Sequence, residues 1–592
     1  MASARINLGR VSRLFGLVLL ASVTVSAPAA RAQYPSAPQV KKDGTAVMLE
    51  DYASLPLSNP MKNGAYFTSI DYHEQLARVN SLRSEPADAP RSSSRFFVND
   101  LNGILYILDK TTKNFTPYIN LAEVFPGYST ASGYAGGIVS IAFDPAYAKN
   151  GKFYTVHTEL IGKSESGVPT NAHLPNLNLN GYATTAAVIP PAGDVKWESV
   201  LVEWTDTDVK NSTFEGTARE VLRIGFNSNR HQMDDLVFNP LASPGSDDYR
   251  NLYISVGDGG AGETPGITHT IPQQLNALQG KILRITPDLT LRPKDMLSSN
   301  GRYRVPSTGS DANPFISVRG ARPEIYAYGL RNPHRMTWDK VTKTFIANDI
   351  GLHSWEEVDI IVKGANYGYS EREGNEQVFV DQDGKTATQL SPAVPFPAED
   401  RLKVEGITDL VTPRYPAAVY SHREGDSIGS GFVYRGKLMP QLRGKYIFND
   451  ITTGRIFYSD LGEMIASGGV RNKSAQIHEL QIVYKSPNDK SRQDPAKLRM
   501  YDIVADAYSH KGGTPNQNNV LPGSAASTAA NPMYRSGNLD PYGVAYGGGR
   551  ADTRLAMGGD DEIYVLSKPD GMIRKLTGVV ASAPASKKTA GH

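Results

Sequence analysis

The chain has 592 residues, and 62 lysines and arginines oppose 60 aspartates and glutamates, so its formal net charge is +2. This balance does not predict nucleic acid or an acidic surface as a partner. There is no cysteine, which excludes disulfides, thiolate zinc sites and cysteine nucleophiles. The 30 tyrosines, 55 glycines and 38 prolines favour short strands joined by many turns.

The first 32 residues have the features of a secretory signal peptide. Arg5, Arg10 and Arg13 precede the apolar run LFGLVLLASVTVSA, and small residues follow at Ala30 and Ala32. This order is typical of a segment that is removed during export, here after Ala32. The apolar run is short for a membrane span, so we expect a periplasmic or secreted protein with no such span.

One pattern recurs after the signal: a β-rich run, a turn, and a second run centred on aromatic and branched residues. Each copy has Asp, Asn, Gly or Pro between its runs, which is the composition of a hairpin. The copies lie at residues 94–109, 137–160, 234–260, 334–351, 431–461 and 553–578. They predict an all-β fold, a six-bladed β-propeller with long loop insertions. A long β-sandwich with coincidental hairpins is the alternative.

The remaining segments define the domain boundaries. The propeller is predicted over residues 61–578, after an extended lead-in at 33–60 and before a disordered tail at 579–592. Three segments without sustained periodicity are predicted to be surface insertions. They are residues 161–215, 374–412 and 465–540.

A histidine and an aspartate in the third copy are candidates for catalysis. His231 lies just before a predicted strand, and Asp258 ends the partner strand in the sequence VGDGG. Loops at one end of a propeller channel converge, so distant side chains can share a site. A carboxylate that accepts a hydrogen bond from the histidine Nδ1–H leaves Nε2 free to act as a base. The alternative is a turn capped by Asp258 and a solvent-exposed histidine.

Two later segments carry candidate ligand-binding groups. Arg331 and Asn332 follow a predicted strand, where a guanidinium facing the channel can hold an oxyanion or a carboxylate. An inter-blade salt bridge is the alternative for Arg331. Gly351 and Leu352 offer backbone carbonyls near the carboxylate of Glu356, and such oxygen ligands suit Ca²⁺. A solvated acidic loop is the alternative there.

Several segments, in the same order along the chain, resemble the soluble quinoprotein glucose/sorbosone dehydrogenases, which include the aldose sugar dehydrogenases. The matching segments are GIVSIAFDPAY, RHQMDDLVF with NLYISVGDGG, LQGKILRI, YGLRNPHRMTWD and NDIGLHSWEEVDIIVKGANYGYS. The resemblance extends from about residue 94 to residue 578. It implies a six-bladed propeller that uses pyrroloquinoline quinone (PQQ) and Ca²⁺ to oxidise a sugar, with an electron acceptor that the sequence does not identify.

The resemblance also implies roles for individual residues. His231 resembles the general base that takes the proton of the sugar hydroxyl, and Asp258 resembles its orienting carboxylate. Arg331 and Asn332 resemble the pair that contacts the quinone oxygens. An arginine there stabilises the negative charge that develops when hydride reaches the quinone.

The implied calcium and cofactor-carboxylate sites depart from the family pattern. Gly351 and Leu352 stand where the family has Gly-Pro and donates carbonyls to Ca²⁺, and Glu356 stands where aspartates are usual. Arg455 is shifted two places from a Lys-Arg pair that binds cofactor carboxylates. Arg435 is a candidate to compensate for that shift.

Other departures leave two alternative functions open. The stretch around Ala135 lacks a cofactor-contacting glutamine, and Thr453 lies where the Lys-Arg pair is expected. Asp234 and Asp235 follow the base where small residues are usual, and two acids there repel an anionic cofactor or add a metal ligand. One alternative is a carbohydrate- or protein-binding propeller without turnover. The other is a Ca²⁺-dependent lactonase-like hydrolase with Asp234, Asp235 and Glu356 as ligands.

Overall fold

A computed structural model describes most of the chain. The described residues are 40–58, 61–62, 65–66, 76–130, 136–161, 168–264, 266–352, 354–380, 387–388, 399–422, 424–488, 494–511 and 551–580. The predicted signal peptide, the position of Ala135, the tail from residue 581 and parts of all three predicted insertions lie outside them. Within the described part, no helix has the length and hydropathy of a membrane span.

Most of the described chain is β-strand, arranged in sheets of consecutive antiparallel strands. Sheet 1 comprises Val79–Arg83, Arg95–Asp100, Ile104–Asp109 and Phe115–Asn120. Sheet 2 comprises Ile138–Phe143, Lys152–Leu160, Trp197–Asp206 and Gly216–Phe226, with Leu177–Asn178 at its edge. Sheet 3 comprises Met233–Phe238, Leu252–Val256, Lys281–Ile285 and Ile325–Tyr328. Sheet 4 comprises Pro333–Trp338, Phe345–Asp349, Trp355–Ile360 and Ala418–Ser421.

Sheet 5 joins the two ends of the described chain. In spatial order it comprises Ile428–Val433, Lys445–Asp450, Ile456–Asp460, Ile477–Tyr484, Ala46–Ser54, Met572–Val580, Ile563–Ser567 and Thr553–Met557, with Ala496–Lys497 paired to Ile477–Tyr484. The early strand Ala46–Ser54 runs parallel to Ile477–Tyr484 and antiparallel to Met572–Val580. The predicted lead-in is therefore in part a sheet strand, and it closes the molecule by pairing with the last strand of the described chain.

The smaller elements are two-stranded ribbons and short helices. The ribbons are Met61–Lys62 with Ala65–Tyr66, Met296–Leu297 with Arg304–Val305, Arg372–Glu373 with Glu376–Gln377, and Phe379–Val380 with Ala387–Thr388. The α-helices are Leu121–Val124, Tyr147–Asn150, Leu461–Ala466 and Met500–His510, and the 3₁₀ turns are Ala261–Glu263, Gly266–Thr268, Ile271–Gln273 and Pro440–Leu442. The strand Ile477–Tyr484 and the helix Met500–His510 lie inside the predicted surface insertion 465–540, but both contribute side chains to a buried apolar cluster. These two elements therefore belong to the core and not to a surface loop.

One edge strand from each of sheets 1 to 4 and both edge strands of sheet 5 lie side by side in a ring, and these six are the innermost strands. The order around the ring is Val79–Arg83, Ile138–Phe143, Met233–Phe238, Pro333–Trp338, Ile428–Val433 and Thr553–Met557, which returns to Val79–Arg83. This arrangement is propeller-like and differs from the two stacked layers of a sandwich, so the predicted all-β propeller class is confirmed.

The apolar core lies between neighbouring sheets, whereas the axis of the ring is polar. Val156 and Leu222 of sheet 2 pack in one buried cluster with Ile254 of sheet 3. The innermost strands instead bury polar side chains such as Asp235 and Arg335. Loops that enter these innermost strands meet at one end of the ring, and the candidate site lies there.

Candidate functional site

The structure brings His231 and Asp258 into direct contact. The distance from His231 Nδ1 to Asp258 Oδ1 is 2.7 Å, and the side chains are 12% and 0% exposed. The backbone N–H groups of Gly260 and Gly262 donate to Asp258 Oδ1 and Oδ2, each at 2.8 Å. The carboxylate is thus fixed by the loop that follows it, and it in turn fixes the imidazole. The predicted contact is confirmed, and its catalytic role stays a prediction.

Glycines allow the two loops to approach each other this closely. A Cβ atom on Gly257 would lie 2.5 Å from the His231 carbonyl oxygen and 2.7 Å from His231 Cβ. The Gly259 N–H donates to the His231 carbonyl at 2.9 Å. His231 itself has a φ of 51°, a left-handed conformation that costs free energy for a residue with a side chain. The local contacts therefore fix the histidine in this left-handed conformation.

Arg331 lies in the same site, where it forms an ion pair with a carboxylate of the protein. Its Nη2 contacts Glu263 Oε1, and its Nη1 donates to the carbonyls of Ile350, at 3.0 Å, and of Gly351. Burial raises the pKa of Glu263, but Arg331, His231 and Arg230 together outweigh this effect and lower the pKa to about 2. The second Glu263 oxygen lies 3.6 Å from the exposed Arg230. Glu263 was not predicted, although it lies only five residues after Asp258.

Three buried polar atoms of the site lack a hydrogen-bond partner among the described residues. They are Arg331 Nε, Asn332 Oδ1 and the Tyr369 hydroxyl, in side chains that are at most 7% exposed. The backbone N–H groups of Arg331 and Asn332 donate to Asp349 at 3.0 and 2.6 Å. The Asp258 N–H donates to the Arg331 carbonyl at 2.7 Å, which ties this loop to the base. Unmet polar atoms of this kind are available to a bound ligand.

The Gly351 carbonyl that was predicted to bind calcium faces an arginine. Gly351 carries one of the carbonyls that accept from Arg331, so a cation there would face a guanidinium. The N–H groups of Leu352, Ser354 and Trp355 converge on Glu373 Oε1, at 2.8 to 2.9 Å. This loop is shaped to hold an internal carboxylate.

Glu356, the third predicted calcium ligand, is bound to other groups. Its Oε1 lies 2.8 Å from His422 Nε2, and its Oε2 accepts from the Ile428 N–H at 2.8 Å. Burial lowers the basicity of His422, but Glu356 outweighs it and raises the pKa of His422 to about 9. The part of the chain that the structure describes contains no group of three or more His, Asp and Glu side chains placed to hold a metal.

The other two predicted cofactor-binding arginines do not reach this site. Arg435 follows the innermost strand Ile428–Val433 and makes a bidentate pair with Asp339, at 2.7 and 3.0 Å. Both residues lie after their innermost strands, at the end of the ring opposite His231. Arg455 lies between Glu424 and Glu479, at 2.9 and 2.8 Å. Each of these arginines is therefore paired with carboxylates outside the His231 site.

The two acids that follow the base point toward the axis. Asp235 Oδ1 accepts from Arg83 and from Ser140, at 2.5 and 2.9 Å. Asp234 Oδ2 has no partner among the described residues, and burial raises the pKa of Asp234 to about 7. Asp235 and Glu356 are thus held by different partners, and these acids do not form the common metal site of the lactonase alternative.

A buried lysine supports the loop that carries Asp258. Lys281 Nζ is fully buried and donates to the carbonyls of Ile271, Pro272 and Gln279, at 3.1, 2.9 and 2.7 Å. Burial lowers the pKa of Lys281. The three bonds fold residues 271–279 back onto the strand that follows them. Lys281 is therefore a positioning residue that sequence analysis did not identify.

Comparison with known proteins places this geometry in a family. Residues 88–390, more than half of the chain, match the family model described as glucose/sorbosone dehydrogenase. The HIPL1 protein of Arabidopsis thaliana is 26% identical over 332 residues, which is 53% of this chain and 42% of that protein. The Hedgehog-interacting protein of Mus musculus is 24% identical over 382 residues, 63% of this chain and 42% of that protein. The chain thus spans about two fifths of the length of these relatives.

One solved structure aligns with most of this chain. It is the PQQ-bound aldose sugar dehydrogenase of Streptomyces coelicolor, 17% identical, with a TM-score of 0.43, and it aligns with 92% of this chain and 100% of its own. The match to the family model decides the assignment. The chain belongs to the glucose/sorbosone dehydrogenase family.

Proposed function

We propose that the chain is an exported quinoprotein dehydrogenase that oxidises an aldose sugar or a related alcohol, with His231 as the general base. The observation that carries the proposal is the 2.7 Å contact between His231 Nδ1 and Asp258 Oδ1. The proposal also includes six blades around the ring, export directed by residues 1–32, and a periplasmic or secreted location. The family match supports the reaction class.

The residues of the site fit PQQ in part. The unpartnered Arg331 Nε, Asn332 Oδ1 and Tyr369 hydroxyl are polar atoms that would hold its oxygens. An anionic group of the cofactor would compete with Glu263 for Arg331. The described residues do not fit calcium, because the Gly351 carbonyl accepts from Arg331 and Glu356 is bound by His422. No step of the mechanism therefore runs through a metal.

The protein groups divide the oxidation into proton removal and charge stabilisation. PQQ, when bound, supplies the acceptor for the hydride that leaves the substrate carbon. His231 Nε2, which has no hydrogen-bond partner in the described part of the chain, takes the hydroxyl proton. Asp258 accepts a hydrogen bond from the His231 Nδ1–H and stabilises the imidazolium that results. Arg331 offers positive charge to oxygen atoms that become more negative.

The test is a titration of the signal-free protein with PQQ, with and without Ca²⁺, followed by dye reduction with a panel of aldoses. We expect saturable quinone binding by wild type and by His231→Ala, and turnover by wild type alone. The matched control is His478→Ala, because His478 Nδ1 makes a similar 2.9 Å contact with Asp43 on the surface. Turnover that survives in His231→Ala contradicts the assignment of the base.

The Arg331–Glu263 pair favours a second candidate, a carbohydrate- or protein-binding propeller without turnover. Because Glu263 neutralises Arg331, this guanidinium is not free for an anionic cofactor. Under this candidate the folded protein fails to bind PQQ even at high Ca²⁺. The same titration therefore separates the two functions.

A further inference from the structure

A small cavity lies on the axis of the ring, away from the His231 site. Its volume is about 10 Å³, room for roughly one water-sized occupant. Residues from five of the innermost strands line it, and its charged members are Arg83, Asp235 and Arg335. Arg83 and Arg335 belong to strands on opposite sides of the ring, so two guanidiniums approach the axis from opposite directions.

The hydrogen bonds of these three residues leave two donors unsatisfied among the described residues, Arg83 Nε and Arg335 Nη2. Both carboxylate oxygens of Asp235 already have donors: Oδ1 accepts from Arg83 and Ser140, and Oδ2 accepts from the Met336 N–H at 3.0 Å. Arg335 Nη1 donates to two backbone carbonyls at 2.8 Å. Arg335 Nη2 has no partner among the described residues, although the side chain is only 7% exposed. The missing partner must therefore be an acceptor.

The charge of the lining distinguishes an anion from water. Two guanidiniums face one carboxylate, which gives a net charge of +1. Burial lowers the pKa of Arg335; Asp235 and Asp234 oppose this effect, and Arg83 adds to it, so the two guanidiniums repel each other across the cavity. Arg554 and Lys568 add two positive charges around the neighbouring Asp234, and Asp552 pairs with them, so these four side chains and the three of the lining together keep a net charge of +1. A buried N–H donor without an acceptor is costly in a region of net positive charge, and a bound anion supplies both the acceptor and the missing negative charge.

We propose that the axial cavity binds one small inorganic anion of the chloride class between Arg83 and Arg335. The anion accepts from Arg335 Nη2 and offsets the repulsion between arginines of opposite strands. Its binding stabilises the closed ring, and it requires neither a quinone nor a substrate. The site is therefore independent of the proposed dehydrogenase activity.

The first measurement is thermal unfolding of the signal-free protein at constant ionic strength, with chloride replaced by gluconate, which is too large for the cavity. We expect a saturable rise in Tm with chloride of roughly 2–4 °C. The rise disappears in Arg335→Gln and persists in Arg499→Gln, because Arg499 pairs with Asp502 on the surface. A rise that persists in Arg335→Gln overturns the proposal, since the anion then binds elsewhere.

The second measurement keeps the test decisive where Arg335→Gln fails to fold. Wild-type crystals soaked in bromide should show an anomalous peak in contact with Arg335 Nη2. A water in place of the peak overturns the proposal. A peak without any effect of chloride on Tm also overturns it, because binding then occurs at crystal concentration only.

Discussion

Replacing Asp258 by asparagine separates the orienting role of its carboxylate from its role in holding the loop. The carboxylate serves two sides: Oδ1 accepts from His231 and from the Gly260 N–H, and Oδ2 accepts from the Gly262 N–H. An amide has one acceptor oxygen and therefore cannot serve both sides. With its oxygen toward His231 it keeps two of the three bonds, and in the opposite orientation it keeps one. The first orientation is favoured.

The magnitude follows from that orientation. The Gly262 N–H loses its acceptor, and a buried unsatisfied donor lowers the free energy of unfolding by about 1–3 kcal/mol. The contact with His231 survives without its charge. Charge-assisted hydrogen bonds exceed neutral ones by about 1–2 kcal/mol, so stabilisation of the imidazolium falls by that amount. The expected loss in kcat is about 5- to 30-fold. Loss of the base itself in His231→Ala costs about 10²- to 10⁴-fold.

The assay is steady-state dye reduction by the quinone-loaded enzyme, combined with urea unfolding. Asp43→Asn is the matched control, because it makes the same chemical change in the surface pair with His478. We expect no change in kcat for that variant. An unchanged kcat in Asp258→Asn refutes the orienting role, and a loss as large as that of His231→Ala shows that the carboxylate does more than stabilise charge.

Three further variants test the surroundings of the pair. Gly257→Ala displaces His231 and lowers kcat by about 10²-fold, whereas Gly578→Ala, which meets no atom within 4 Å, leaves kcat unchanged. Asp234→Asn has no effect on Tm near pH 4 and raises Tm increasingly toward pH 8. The reason is that the pKa of Asp234 is about 7 in the folded protein, so ionisation of this carboxyl destabilises the fold by up to about 4 kcal/mol. A Tm difference that is independent of pH contradicts this. Lys281→Met leaves three carbonyls without their donor, and urea unfolding should show a loss of about 1–3 kcal/mol.

The sequence predicts the His231–Asp258 contact because that contact is local. The strands Met233–Phe238 and Leu252–Val256 are consecutive, and their register pairs Met233 with Val256. A residue just before the first strand and a residue just after the second therefore meet at the same end of the hairpin. Turn composition and strand alternation are enough to predict this arrangement.

The contacts that the sequence does not predict join distant segments. His422 reaches Glu356 across 66 positions, and the strand Ala46–Ser54 pairs with Met572–Val580 at the other end of the described chain. No local pattern specifies such partners. Arg435 was misplaced for a related reason: its position along the chain does not reveal that it follows an innermost strand and so lies at the opposite end of the ring.

Any anionic ligand of Arg331 must displace Glu263, which is paired with this arginine. A buried guanidinium without a counterion is strongly unfavourable, so the ligand-free protein needs an internal carboxylate there. Glu263 supplies it, and the exposed Arg230, 3.6 Å from the second oxygen, gives that carboxylate a second partner after displacement. A ligand anion therefore gains only the difference between two ion pairs, whether the ligand is a cofactor or a binding partner. Turnover distinguishes the two functions, because the proposed dehydrogenase needs His231 Nε2 as a base and a binding protein does not.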